Sequence, residues 1–233
     1  MYEGLIREVV DFRGDLVRNI KGIRVSQSLF DDLSADAADQ AVAIAAEGVE
    51  RIASEAPLLT RPFDYGAVIS YPFVPHNWHG TRWSDGLSYG VWHGSLDIDT
   101  TVVESVYHWH RFVMDAFPAE TGEIAGERRV LDVRCAAILV DLRGHAEPRL
   151  LDRLDYSYTQ ALGRHLHQRS QNGLLARSAR CQGDNAALLD PRCLSEPRDA
   201  CFLTYRMTPA QDRVAVERSP GQTWLEIRPS SLY

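Results

Sequence analysis

The chain has 233 residues, a formal net charge of −7, and 45% hydrophobic and 24% charged residues, a composition that suits a globular protein with one substantial core or two small ones. An acidic balance argues against broad nucleic-acid binding, which needs a basic surface, while leaving room for a small anionic substrate in a local basic pocket. No apolar run approaches the roughly 20 residues of a membrane span.

The first residues, Met1-Tyr2-Glu3-Gly4-Leu5, lack the basic-then-apolar layout of a signal peptide, so the expected location is cytoplasmic. Residues 1–57 read as a helical N-terminal segment. Within it, Ala37 to Ala53 is rich in alanine, with Val42, Ile44, Val49 and Ile52 as a loose apolar stripe and Ser34 or Asp36 as a cap. Pro57 and Pro62 punctuate the chain and open a second unit, 58–233. Tyr71 to Gly94 is dense in aromatic residues, Pro, Gly and His and reads as loop with short strands, the kind of segment on which scaffolds carry function. Asp97 or Asp99 caps a helix running to about Phe117. Val102, Val106, Trp109 and Val113 fall on one face of it, and Glu104, His108 and Arg111 on another. Val130 to Leu142 is strand-like, and Leu154 to Gln168 reads as a second helix. Short strands follow at Leu174–Ser178, Ala186–Leu189, Phe202–Met207 and Trp224–Arg228. A helical start followed by mixed strands and helices predicts an α+β fold rather than a doubly wound sheet.

Standard nucleotide and hydrolase motifs are absent: there is no Gly-x-Gly-x-x-Gly after a strand, no P-loop and no Gly-x-Ser-x-Gly elbow. Cys135, Cys181, Cys193 and Cys201 form no Cys-x-x-Cys pair, so they read as reduced structural thiols rather than zinc ligands. His76, His79, His93, His108 and His110 cluster in sequence, but no single element assembles them into a metal-ligand geometry. Two charged residues stand out. Arg82 sits beside Trp83 between Gly80 and Gly86, and its planar fork suits a pyrophosphate. Glu104 is a lone carboxylate among valines, placed to stabilise a sugar cation. Together they suggest a site for a nucleotide sugar or dinucleotide.

The segments Gly80-Thr81-Arg82-Trp83-Ser84-x-Gly86, Glu104 with His108, Gly173-Leu174-Leu175-Ala176-Arg177-Ser178-Ala179-Arg180 and Gly183-Asp184-Asn185-Ala186-Ala187-Leu188-Leu189-Asp190-Pro191 resemble the RES domain family over about residues 58–229. The resemblance implies an ADP-ribosyltransferase-like mixed sheet core with flanking helices. It also implies a toxin of a toxin–antitoxin pair that degrades NAD. On that resemblance Arg82, Glu104, Ser178 and His108 are the catalytic residues, and Arg61 matches a second arginine that often precedes the motif. Ser84 stands where the family commonly has Asn, and Trp92 where it commonly has Tyr.

The residue chemistry suits such a reaction. Nicotinamide leaves NAD as a neutral ring, so no general acid is needed, unlike ordinary glycoside cleavage with two carboxylates. One glutamate can hold a ribose hydroxyl and stabilise an oxocarbenium-like state. Arg82 would clamp the pyrophosphate, and Trp83, Tyr89 or Trp92 would stack on nicotinamide or adenine. Ser178 would orient Glu104 or bind the carboxamide. NAD enters as substrate, with no resident cofactor and no metal. The expected partners are NAD and a cognate antitoxin protein, with no direct nucleic acid, no membrane, and room for a homodimer. Hydrolysis, phosphorolysis, protein ADP-ribosylation and an inactive RES-like binding module all remain open at this level.

Overall fold

A computed structural model of the chain describes residues 2–22, 64–117 and 119–233. Their organising element is an eight-stranded sheet in the order β1-β2-β5-β4-β3-β6-β7-β8, with β1 also paired to β3. The strands are β1 (Val9–Lys21), β2 (Trp92–Ser95), β3 (Ile124–Asp141), β4 (Gly173–Arg177), β5 (Asp184–Leu188), β6 (Leu194–Met207), β7 (Val214–Ser219) and β8 (Gln222–Ile227). Three helices accompany them: α1 (Tyr65–Ser70), α2 (Ile98–Ala116) and α3 (Ser157–Gln168). The α+β expectation holds. Among the described residues no helix is long and apolar enough to cross a membrane.

The expected N-terminal helix is overturned where it is described. Val9–Lys21 is a strand, antiparallel to β3 along its whole length from Val9↔Val140 to Lys21↔Arg128. Val10, Phe12, Leu16 and Ile20 alternate onto one face and enter a core with Trp92, Leu131, Val133, Leu175 and Leu188; that is the period of a strand, not of a helix. Residues 1–22 therefore belong to the same compact unit as 65–233. The Ala37–Ala53 helix and Arg61 lie outside the described residues.

Because β1 pairs with both β2 and β3, the strands β1, β2, β5, β4 and β3 close on one another. Leu16, Trp92, Ala186, Leu188, Leu175, Leu131 and Val133, drawn from all five, share one core. Around its middle, strand β3 is buried on both sides: Val130 packs with α2 and Leu131 into the closed set. Polar residues such as Asp132 and Arg134 interrupt its apolar run, and Arg134 and Ile138 are exposed further along. The strand is longer than the sequence suggests, as is β6, and β7 was not anticipated.

Helix α2 begins as expected. Asp97 accepts from the Thr100 backbone N–H at 2.7 Å and from its hydroxyl at 2.8 Å, an N-cap that satisfies an orphan donor. Val102, Val106, Trp109 and Val113 are all buried, against Val130, Leu203, Tyr205, Val214 and Val216. Helix α3 buries Leu162 and Leu166 against Val140, Leu174, Ala176 and Ala187. The Tyr71–Gly94 region is mostly single turns and loop, with α1 before it and β2 starting only at Trp92.

Candidate active site

Glu104 projects from α2 on the side opposite its valine stripe and is held at both carboxylate oxygens. Oε1 accepts from Ser178 Oγ at 2.6 Å and from Asn185 Nδ2 at 2.9 Å. Oε2 faces Arg180 Nη1 at 3.4 Å. Ser178 follows β4 in a turn closed by its own N–H on the Gly183 carbonyl at 2.7 Å. Its hydroxyl oxygen also accepts from the backbone N–H groups of Arg180 (3.0 Å) and Cys181 (3.2 Å). With its lone pairs taken, its one proton is directed at Glu104. The turn is seated on the first turn of α2, where a Cβ on Gly183 would lie 1.8 Å from Thr100 Oγ1. Asn185 is fixed in its turn by Ser95 Oγ, which donates to its Oδ1 at 2.7 Å.

Arg180 is buried. Its guanidinium lies 3.6 Å over the Tyr107 ring and donates to Tyr156 Oη at 2.8 Å. Tyr156 in turn carries Arg82, whose guanidinium carbon is 4.5 Å over its ring. Arg82 donates to the Leu150 carbonyl at 3.2 Å, while its Nη2 is buried with no partner among the described residues. Burial lowers the Arg82 pKa and the Arg180 charge acts the same way, against Tyr156, Glu104 and Asp152. A guanidinium stays charged under such pressure. An unanswered N–H on it is a donor waiting for an anion.

The loop carrying Arg82 is held on α3. Gln160 Nε2 donates to the Thr81 carbonyl at 2.9 Å, and Arg164 pairs with Asp85. Gly163 lets the loop approach: a Cβ there would lie 2.0 Å from the Trp83 carbonyl oxygen. Gly86, at φ 77°, takes a left-handed turn that a side chain would strain. Ser84 is buried and works inside this loop, donating to the Tyr89 carbonyl at 2.8 Å and accepting from Gly86 N–H at 3.0 Å.

The expected aromatic platform is corrected by burial. Trp83 and Tyr89 are 3% exposed and Trp92 is 0% exposed, so none offers a ring face to a ligand here. Trp83 and Tyr89 belong to the core under α3. The Tyr89 hydroxyl donates to the Trp83 carbonyl at 2.7 Å, and its ring stacks on His167 at 4.3 Å. Trp92 turns inward, donating to the Val68 carbonyl at 2.9 Å. His108 is exposed, one turn along α2 from Glu104. The structure thus brings Glu104 and Ser178 together and links Arg82 to them through Tyr156 and Arg180. It leaves Trp83, Tyr89 and Trp92 in the core.

Arg180, Asn185, Tyr156 and Tyr107 complete the arrangement and were not picked out from sequence. Arg180 and Asn185 lie inside the two C-terminal motif segments, two residues from Ser178 and Ala187. Nothing local marks the tyrosines. An open cavity of about 670 Å³ adjoins the Ser178 turn, lined among others by Arg153, Arg177, Arg180, Asp97 and Asp184. Its volume suits a small-molecule ligand. No group of three or more potential metal ligands occurs among the described residues.

Fold and site define an α+β protein in which Glu104 is tethered beside Arg180, with Arg82 linked to that pair through Tyr156. The RES domain family model matches residues 49–208, and the chain belongs to that family. No curated protein sequence matches it. Among solved structures, the crystal structure of the M. tuberculosis MbcT–MbcA toxin–antitoxin complex is similar, with 16% sequence identity and a TM-score of 0.46 over 89% of this chain and 94% of that one.

Proposed function

We propose that this RES domain protein cleaves the nicotinamide–ribose bond of NAD, with water or phosphate as acceptor, and acts as a toxin restrained by a protein antitoxin. The observation that carries the reading is the tethering of Glu104 by Ser178, Asn185 and Arg180. An acceptor group fixed in advance does not reorganise when positive charge grows on the ribose, and such preorganised electrostatics commonly contributes more to catalysis than any other effect. Departure of nicotinamide needs no acid, so Glu104 can act without a second carboxylate as proton donor. Nη2 of Arg82, which has no partner among the described residues, supports a role in holding the pyrophosphate.

The test is incubation of the purified chain with NAD, with and without inorganic phosphate, and identification of products by mass spectrometry. Free nicotinamide is expected, with ADP-ribose in water or its 1″-phosphate when phosphate is the acceptor. NAD left intact, or ADP-ribose found only on protein, would overturn the reading. In cells the same activity should lower NAD and arrest growth, and a co-expressed cognate antitoxin should restore both.

A further inference from the structure

We propose that His93 is a substrate-binding residue of the Glu104 site, offering its imidazole to an uncharged hydrogen-bonding group of the bound substrate. This rests on the NAD reading above and adds a residue that the family motifs do not supply.

Strand geometry sets the face from which His93 projects. In β2, Ser95 pairs with Asn185 and His93 pairs with Ala187. Ser95 and His93 are two residues apart, so they leave the strand on the same face, about 6.6 Å from each other. That is the face on which Ser95 holds Asn185 and Asn185 holds Glu104. Trp92, between Val91 and His93, points the other way into the closed core. The residue opposite His93 is alanine, which has no group to bond with. His93 is partly buried, and its Nε2 is shielded from solvent with no partner among the described residues. A buried polar atom left open in this way calls for an explanation, and a ligand between Arg82 and Glu104 supplies one.

Its surroundings select the form of the ring. Burial, and then the charges of Arg18, His108, His79 and Arg82, push the His93 pKa down to about 3. The backbone carbonyl of His93 accepts from Arg18 Nη1 at 2.5 Å, which brings that charge close. The imidazole is therefore neutral at neutral pH, with one nitrogen donating and the other accepting. It cannot compete with Arg82 for a cationic role, and a hydroxyl or amide of the substrate is the partner it suits.

The test reads the residue directly. In the whole chain labelled with ring-¹⁵N histidine, NAD should shift one Nε2 resonance, assigned by its absence from His93→Gln. By calorimetry, His93→Phe should bind NAD about 10-fold more weakly, as for one lost hydrogen bond with a buried group left unpaired, and His93→Gln should recover most of that loss. Should His93→Phe not fold, the resonance in the unsubstituted chain decides. A chain that binds NAD while the His93 resonance stays still, or a folded His93→Phe with unchanged affinity, overturns the proposal alone. A chain that binds no NAD overturns the functional reading and this one with it.

Discussion

Ser178 Oγ sits 2.6 Å from Glu104 Oε1 while the N–H groups of Arg180 and Cys181 occupy its acceptor side. The hydroxyl is thereby a one-way donor, and the Glu104 carboxylate is oriented from the sheet rather than from its own helix. Glu104→Gln should keep the fold and NAD binding but lose turnover by about 100-fold or more, the range for removing a preorganised electrostatic group. With its carbonyl oxygen still facing Ser178 and Asn185, the amide would turn its N–H₂ toward Arg180. His108→Ala should cost less, since His108 makes no comparable tether among the described residues. Steady-state kinetics on both variants checks this ranking; an unchanged kcat in Glu104→Gln would remove Glu104 from the chemistry.

Arg82→Ala should abolish measurable NAD binding by calorimetry while the melting temperature is kept. Arg82→Lys should rescue poorly. A lysine supplies a point charge, but it cannot both lie flat over Tyr156 and leave a second N–H for the substrate.

Gly163→Ala tests how the Arg82 loop is held. The added Cβ would meet the Trp83 carbonyl oxygen at 2.0 Å, and neither helix backbone nor carbonyl yields cheaply. A loss of about 1–3 kcal/mol in denaturant unfolding is expected, the usual cost of overpacking. NAD affinity should fall with it, because the displaced loop carries Arg82. A loss of stability with affinity untouched would uncouple the loop from the site.

Acid should destabilise the protein partly through His93. Its folded pKa, about 3, lies below the ordinary 6.5. The unfolded chain therefore binds the proton first as pH falls, and stability is complete above 6.5 and lost progressively toward 3. Urea midpoints at pH 7 and pH 5 should fall less in His93→Gln than in the unsubstituted chain. Equal falls would show that His93 takes no part in the acid limb.

Sequence reading reached Glu104 because helical spacing is local: a lone carboxylate opposite Val102, Val106, Trp109 and Val113 must face away from the core, and it does. Ser178 was legible through its motif. The partners of both were harder, since Arg180 and Asn185 meet Glu104, and Tyr156 meets Arg180, only after residues some 24 to 81 positions apart are folded together. Strand β2 shows a different limit. In a strand, one residue decides between the two faces, and the bulk of Trp92 drew attention to the ring that ends up in the core, one position before the histidine on the Glu104 face. The alternation of Val10, Phe12, Leu16 and Ile20 was present in the sequence, but the alanine-rich tract beyond it pulled the whole N-terminal segment toward a helical reading.

Strand β1 changes what counts as the minimal protein. The stretch recognisable as RES, residues 49–208, contains Arg82, Glu104 and Ser178 but neither β1 nor the β7–β8 hairpin. Cut to those limits, the chain would keep Ser178, Arg180 and Asn185 around Glu104, yet one long edge of β3 would be left bare and the core around Trp92 opened to water. Such an edge recruits any strand that can pair with it. The recognisable portion is thus a unit of chemistry, while the unit of folding extends past both its ends, and a peptide spanning Val9–Lys21 is the natural complement of the fragment that lacks it.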